Sequence, residues 1–231
     1  MDADVRSLVR LRKRKRMFRV LRYVLLVSIL LGVVYVLFFS PVFSVKSVSV
    51  IGNYYATEKK ILKAADISPG VQIARLDATA IETAILKLPE VKSVEVRRGW
   101  PNQVILAVKE RTPMAVTKDG GVWRYVSQKG IVFGISTSKP TQFLSVSGIN
   151  AETFAEAAKV SAALPSWLRD RVENVKGLSR DNVIVWLTNG VEIRWGSSEA
   201  SEFKGRVLQQ LMGLKAEMYN VSVPDQPTIR K

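Results

Sequence analysis

The stretch VKSVEVRRGWPNQVILAVKE, residues 91–110, decides the fold of the central part of the chain. From Val91 to Arg98 apolar and polar residues alternate, which is the period of a half-buried β-strand. Gly99-Trp100-Pro101-Asn102 is a typical turn sequence, and a second apolar-rich run follows from Gln103 to Glu110. The pattern predicts a β-hairpin.

The residues before this hairpin predict a further strand and two helices. Val45 to Gly52 alternates in the same way and predicts the strand. Thr57 can cap a helix that ends near Ala65 and carries Ile61 and Leu62 on its apolar face.

A second helix is predicted after the breaker Ser68-Pro69-Gly70. Thr79 to Glu82 fits a capping box, Ile81, Ile85 and Leu88 recur at helical spacing, and Pro89 is expected to end the helix. The resulting order, β-α-α-β-β, predicts an α+β domain over residues 44–114 whose helices cover one face of a small sheet.

A membrane helix is predicted over residues 23–43, which carry no charge. Twenty helical residues rise about 30 Å, the thickness of the hydrocarbon core of a bilayer. The basic residues that precede it within residues 1–22 predict a cytoplasmic tail, because lysine and arginine stay on the cytoplasmic side. The residues that should set this topology are Arg12, Lys13, Arg14, Lys15 and Arg16. A cleaved signal peptide is the alternative, but no A-x-A-like site follows the apolar run.

The net charge of +15 does not by itself indicate nucleic-acid binding. Much of it lies next to the predicted membrane helix, where basic residues contact anionic lipid headgroups. Aromatic residues that could stack on bases are limited to Phe18 and Tyr23 in this region. The sequence therefore predicts membrane lipids, and no nucleic acid, as a partner of the tail.

The chain contains no histidine and no cysteine. Ser-His-Asp and Cys-His catalysis, the usual zinc ligand sets and disulfides are therefore excluded. No phosphate-binding glycine motif occurs. Two carboxylate pairs fit solvated helix faces, Glu152 with Glu156 and Glu199 with Glu202. We predict no catalytic residue, metal, cofactor or small-molecule substrate.

One short string resembles a catalytic motif. Ser136-Thr137-Ser138-Lys139 matches the S-x-x-K of penicillin-binding enzymes, which need the serine at the start of a helix. Here Gly134 and Pro140 flank the string and favour a loop, and the companion K-T-G and S-D-N strings are absent. The string therefore does not predict an active site.

The residues from 115 to 231 predict a second, strand-rich domain that also contains helices. Strand signals lie at 122–125, 131–133, 143–149, 182–187 and 191–195, and Asn189-Gly190 predicts a two-residue hairpin turn between the last two. Helices are predicted over 151–164 and about 199–218. Their predicted inner faces carry Phe154, Ala158 and Ala162 in the first, and Phe203, Val207, Leu211 and Leu214 in the second.

The C-terminal residues predict an outermost strand. Val221 and Val223 alternate with Ser222, and Pro227 precedes Thr228-Ile229-Arg230. Proline lacks a backbone donor and is confined to edge strands or strand starts. An open edge can take up a strand from a partner.

Several phrases together resemble the FtsQ/DivIB family of bacterial cell-division proteins. They are FSVKSVSVIG after one membrane helix, ISPGVQIARLD, LPEVKSVEVRRGWPNQVILAVKERTPMAV, KGIVF and, similar to the actinobacterial branch, YNVSVPDQPTIRK. The resemblance runs from Arg19 almost to the end of the chain and identifies the β-α-α-β-β unit as a POTRA domain. Gln128-Lys129 is a departure, because the family often has an aspartate before the glycine at 130.

The resemblance implies a non-enzymatic scaffold of the divisome. Such proteins are single-pass membrane proteins with a cytoplasmic N-terminus, concentrated at the septum. The last strands of the family's β domain receive FtsB with FtsL, or DivIC, and further partners are of the FtsW, FtsI and FtsK type. By resemblance this role falls on Val221, Val223, Thr228, Ile229 and Arg230. The alternatives are a POTRA-bearing protein of envelope secretion or assembly, and a membrane-tethered cell-wall enzyme.

Overall fold

The computed structural model describes the backbone of residues 2–231 and the side chains of Met17 and of residues 20–231. The side chains of Arg12, Lys13, Arg14, Lys15 and Arg16 lie outside the described residues, so their role in topology stays a prediction. The chain forms two compact units made of separate stretches. The first consists of Met1–Ile51, Leu62–Ala84 and Glu95–Ala107, and the second of Gly52–Ile61, Ile85–Val94 and Val108–Lys231.

The first unit begins with one long helix, α1 (Asp2–Phe39). Its segment Val20–Phe39 is long and apolar enough to cross a membrane, and its large apolar side chains are exposed. The helix ends four residues before the predicted boundary because Pro41 forces Ser40 into an extended conformation. Ser40 Oγ then accepts a hydrogen bond from Val42 N, at 3.3 Å, in a short 3₁₀ turn.

The predicted β-α-α-β-β order is confirmed. The strands are β1 (Ser47–Ile51), β2 (Val91–Gly99) and β3 (Gln103–Glu110), in the sheet order β1-β3-β2, and the helices are α2 (Glu58–Ala65) and α3 (Ala78–Ile85). β1 runs parallel to β3, with Ser47 opposite Gln103. The fold class is α+β, as the sequence predicted.

The predicted start and end of α3 were wrong. Asp77 Oδ1 accepts the hydrogen bond from Ala80 N at 3.0 Å, so Asp77 rather than Thr79 satisfies the first turn. Glu82, expected to complete a capping box, instead accepts a hydrogen bond from Val96 N at 2.9 Å. The helix ends at Ile85, and Leu88 lies beyond it in a turn.

The second unit contains two further sheets. The smaller one is antiparallel, with β4 (Pro113–Asp119), β5 (Val122–Ser127) and β6 (Val132–Ser136) in sequence order. The larger one has the order β12-β11-β10-β9-β8-β7. Its strands are β7 (Val146–Ser147), β8 (Val172–Ser179), β9 (Asn182–Leu187), β10 (Glu192–Gly196), β11 (Met218–Asn220) and β12 (Thr228–Arg230).

One strand prediction needs correction, and one strand was not predicted. Of the segment 143–149 only Val146–Ser147 is a strand, and the residues before it make a single bridge to β4, in which Leu144 O accepts from Val116 N. The interior strand β8 was not predicted. Its sequence, VENVKGLS, mixes charged residues with a glycine and gives only a weak alternation.

The hairpin of β9 and β10 is confirmed, but its turn differs from the prediction. Leu187 N donates to Val191 O at 3.0 Å, so three residues rather than two form the loop. Gly190 has φ 82°, a left-handed conformation that glycine adopts at low cost in a three-residue loop.

Helices α4 (Ala151–Ala163), α5 (Ser166–Arg169) and α6 (Ser201–Leu211) complete the second unit. Both predicted inner faces were partly wrong. In α4, Ala158 is buried, but Ala162 is exposed, and Ala157, Val160 and Ser161 are buried instead. In α6, Phe203 is exposed, while Lys204 and Leu208 are buried, and Leu214, also exposed, lies beyond the end of the helix. That helix stops at Leu211, seven residues before the predicted end.

Candidate partner-binding edge

The edge of the six-stranded sheet is formed by β12. It pairs antiparallel with β11, with Tyr219 opposite Ile229, and Arg230 O accepts a hydrogen bond from Glu217 N at 2.9 Å. Among residues 2–231 no strand pairs with the outer side of β12. That side therefore presents backbone N–H and C=O groups to which another strand can bond.

The strand next to β12, β11, is held in place by several contacts. Tyr219 of β11 is buried, and its hydroxyl donates to Leu214 O at 2.6 Å. Val221 N donates to Arg194 O at 2.9 Å, which extends the parallel pairing of β10 and β11. A rigid strand behind β12 keeps the open edge in register for a partner.

The five residues predicted to bind a partner do not form one surface. Val221 is fully buried in the core, so its side chain cannot contact a partner. Val223 is 57% exposed and lies in the turn before β12. The structure brings the other three together on one strand, where Thr228 and Arg230 are exposed and Ile229 packs against the core with a half-buried side chain.

The residues that support the turn into β12 were not predicted. Asn220 Oδ1 accepts hydrogen bonds from Ser222 N, at 3.1 Å, and from Ser222 Oγ, at 2.7 Å. Gly196, at the end of β10, has φ 78°, and an added Cβ would lie only 2.9 Å from Ser222 Cβ. The glycine that directly follows the predicted strand 191–195 is the one sequence signal that could have indicated the close approach of Ser222.

The S-x-x-K string has the geometry of a strand end rather than an active site. Ser136 is the last residue of β6, and its hydroxyl donates to Ser138 O at 2.8 Å. The Lys139 ammonium lies over the ring of Trp123, 5.5 Å from its centroid. Neither group is placed to activate the other. Within the described part of the chain, no group of three or more acidic residues could hold a metal ion.

Glu156 was expected to be solvated but is buried. Its Oε1 accepts from Ser198 N at 2.7 Å and its Oε2 from Lys159 Nζ at 3.2 Å. Burial disfavours the charge, but the hydrogen bonds from Ser198 and Lys159 outweigh it and hold the pKa of Glu156 below its usual value. Burial likewise lowers the pKa of Lys204, whose Nζ donates to Ser197 O at 2.9 Å. Both groups fix the 197–198 loop.

We expect Glu156→Gln to destabilise the fold in a pH-dependent way. Because the folded-state pKa is lowered, the ionised carboxylate stabilises the fold above its unfolded pKa of about 4.3, and this is lost as pH falls through the folded-state pKa. The expected loss is about 1–3 kcal/mol at pH 7. Urea unfolding at pH 7 and at lower pH measures it, with Glu152→Gln, exposed on the same helix, as the control. A difference that does not shrink on acidification contradicts the assignment.

Comparison with known proteins gives a consistent result. A family model described as "POTRA domain, FtsQ-type" matches residues 43–111, and one described as "Cell division protein FtsQ/DivIB, C-terminal" matches residues 115–223. The chain is 30% identical over 221 residues to the cell division protein FtsQ of Streptomyces collinus, which covers 88% of this chain and 84% of that protein. The chain is 32% identical over 210 residues to the FtsQ of Streptomyces venezuelae, and the match covers 85% of this chain and 78% of that protein.

Two further matches extend this comparison. The FtsQ of Corynebacterium glutamicum is 28% identical over 220 residues, with 88% of this chain and 98% of that protein covered. A solved structure of the major extracytoplasmic domain of DivIB from Geobacillus stearothermophilus matches 41% of this chain and 85% of its own, at 17% identity and a TM-score of 0.32.

Proposed function

Because the chain belongs to the FtsQ/DivIB family of bacterial cell-division proteins, we propose that it is a single-pass membrane scaffold that joins division proteins at the septum. Its partner is of the FtsB and FtsL (or DivIC) type, and this partner binds by adding a strand to the open side of β12. The family assignment confirms the resemblance inferred from the sequence. The binding mode rests on the geometry of the edge.

The observation that carries this proposal is the position of β12. It is the outermost strand of the six-stranded sheet, with exposed side chains at Thr228 and Arg230 on either side of Ile229. A partner strand can gain backbone hydrogen bonds there, at about 0.5–1.5 kcal/mol each, and side-chain contacts supply selectivity. Val223, exposed in the adjacent turn, is a further candidate contact outside the strand. Val221 contributes by holding β11 in place.

The remaining parts of the chain fit a scaffold anchored in the cytoplasmic membrane. The helix segment Val20–Phe39 provides the single span, and we propose that the basic tail before it stays in the cytoplasm, since basic flanks do so. The rest of the chain would then face the cell wall, where partners of the FtsW, FtsI and FtsK type are further candidates. The scaffold acts without catalysis of its own, in keeping with the unremarkable environments of Ser136 and Lys139.

Photo-crosslinking in growing cells tests the function directly. A photoreactive residue placed at Thr228 or Arg230 is expected to capture the FtsB-type or FtsL-type protein of the same cell, whereas one at Glu173, exposed on β8 of the same sheet, is not. A photoreactive residue at Val223 should give a weaker product. Equal capture from Glu173, or capture of neither partner from β12, would contradict the proposal.

A further inference from the structure

The end of the membrane helix that leads to β1 is surrounded by aromatic side chains. Phe39 is the last residue of α1, and Tyr35 stacks on it with 5.1 Å between ring centroids. Phe43 follows in the 3₁₀ turn, and Trp100 meets it edge-on at 5.7 Å. Arg75 lies over Phe39, with its guanidinium carbon 4.8 Å from the ring centroid. We refer to Phe39, Phe43, Arg75 and Trp100 as the collar.

The sheet register explains why Trp100 lies at this end of the unit. The chain leaves the 3₁₀ turn at Phe43 and enters β1 at Ser47, which lies opposite Gln103 in the parallel pair of β1 and β3. The turn that joins β2 to β3 is therefore held beside the start of β1. Lys46 N donates to Asn102 O at 2.8 Å and fixes this contact. The hairpin tip is thus placed at the exit of the membrane helix.

The exposure of the collar suits a lipid interface. Trp100 is 53% exposed and Phe39 is 58% exposed. The apolar segment of α1 has 20 residues, which rise about 30 Å, so Phe39 lies at the boundary of the hydrocarbon core. Phe43 and Trp100 then fall at the level of the lipid headgroups, where tryptophan is enriched because its ring is apolar and its N–H is polar.

The charge next to the aromatic rings has the sign that lipid phosphates require. Arg75 is exposed, and its contact with Phe39 places the guanidinium at the same boundary. The backbone around it is held by Arg98, whose Nε donates to Ile73 O at 3.2 Å and whose Nη2 donates to Leu76 O at 2.9 Å. Lys46, also exposed, lies beside the hairpin tip. A guanidinium binds phosphate by paired hydrogen bonds as well as by charge.

We propose that the collar docks the first unit onto the leaflet at which α1 ends. The Trp100 ring lies in the headgroup layer, and Arg75 binds the phosphates of anionic lipids. This second attachment adds to the membrane helix and holds β1 and the hairpin tip against the bilayer. The proposal requires that α1 spans the membrane, and it is independent of partner binding at β12 and of which side of the membrane the unit faces.

A spin label can measure this docking, because the chain has no cysteine of its own. The full chain is placed in nanodiscs of phosphatidylcholine and phosphatidylglycerol, with the label at Lys46→Cys. The matched control is a label at Glu95→Cys, exposed on β2 and four residues before the hairpin turn, about 13 Å along the strand. Accessibility to oxygen relative to a water-soluble nickel chelate is expected to be several-fold higher at Lys46 than at Glu95.

Substitution of Trp100 provides the decisive comparison, because Lys46 lies near the membrane helix in any case. Trp100→Ala is expected to lower the oxygen-to-nickel ratio at Lys46 at least twofold, and Trp100→Phe is expected to lower it less. In the parent chain, the oxygen-to-nickel ratio at Lys46 is expected to be higher in nanodiscs that contain phosphatidylglycerol than in nanodiscs of phosphatidylcholine alone. Arg75→Gln should abolish this difference. An unchanged ratio at Lys46 in both Trp100→Ala and Arg75→Gln would overturn the proposal, and far-UV circular dichroism of each variant checks that it is folded.

Discussion

Proline at one of two neighbouring positions in β12 is expected to abolish partner binding while leaving the chain folded. Alternate residues of a strand point their N–H groups to opposite sides. Arg230 O bonds to Glu217 N beside β11, so Thr228 also faces β11 and Ile229 faces the open edge. Proline removes that N–H. At the inward-facing position it should weaken the pairing with β11, and at the outward-facing position it should block only the added strand.

The expected effect on affinity follows from the number of backbone hydrogen bonds that are lost. Loss of the central backbone pairing in a three-residue edge should lower the binding free energy by about 2–4 kcal/mol. This corresponds to roughly a 30- to 1,000-fold rise in Kd. Titration of the full chain in nanodiscs with the purified FtsB-type and FtsL-type partner measures it. Ile229→Val, which keeps the strand and most of the packing, should change Kd less than about threefold.

A control in the same loop separates strand pairing from general disturbance of the C-terminus. Asp225 is exposed in the turn before β12, and Asp225→Ala should leave both affinity and unfolding temperature unchanged. If neither proline variant weakens binding, strand addition at β12 is wrong, even though the family assignment would stand. Because the Thr228 N–H faces β11, Thr228→Pro should also lower the unfolding temperature, and by more than Ile229→Pro does.

The elements that could be predicted from sequence are those whose signal lies within a few residues. The hairpin of β2 and β3 has regular alternation on both sides of a Gly-Trp-Pro-Asn turn, and its predicted strands agree with the structure to within one residue. The edge position of β12 followed from Pro227 alone. The apolar part of α1 followed from length and apolarity, although the helix ends before the predicted boundary because Pro41 holds Ser40 in an extended conformation.

The elements that could not be predicted depend on contacts between distant residues. The inner face of α6 includes Lys204 because its ammonium donates a hydrogen bond to Ser197 O. The spacing of apolar residues in the sequence does not reveal this contact. Gly177 allows α4 to approach β8, since an added Cβ would overlap the Thr153 carbonyl. Val221 and Val223 share an alternation in the sequence, but the chain turns between them, so one is buried and the other exposed.

Glu110 is a further case in which long-range contact rather than local pattern sets the role of a residue. In the sequence it is only the last residue of a strand, yet its carboxylate accepts three backbone hydrogen bonds from a loop more than fifty positions earlier. Oε2 accepts from Tyr54 N at 2.9 Å and from Tyr55 N at 2.7 Å, and Oε1 accepts from Ala56 N at 2.7 Å. These bonds hold Tyr55 against Tyr125 and Phe133, with ring centroids 4.8 Å and 5.4 Å away.

Glu110→Ala should therefore cause one of the largest losses of stability of any single substitution in the second unit, about 2–4 kcal/mol. Hydrogen bonds to a charged group are worth about 1.5–3 kcal/mol each, but the exposed Tyr54 N–H regains water, so the three do not add fully. Glu110→Gln keeps one acceptor oxygen and should lose about half as much. Thermal unfolding of the full chain in detergent measures both, against Glu173→Ala, an exposed carboxylate that should change stability by less than about 0.5 kcal/mol. A loss below about 1 kcal/mol for Glu110→Ala would show that the loop is held by the packing of Tyr55 alone.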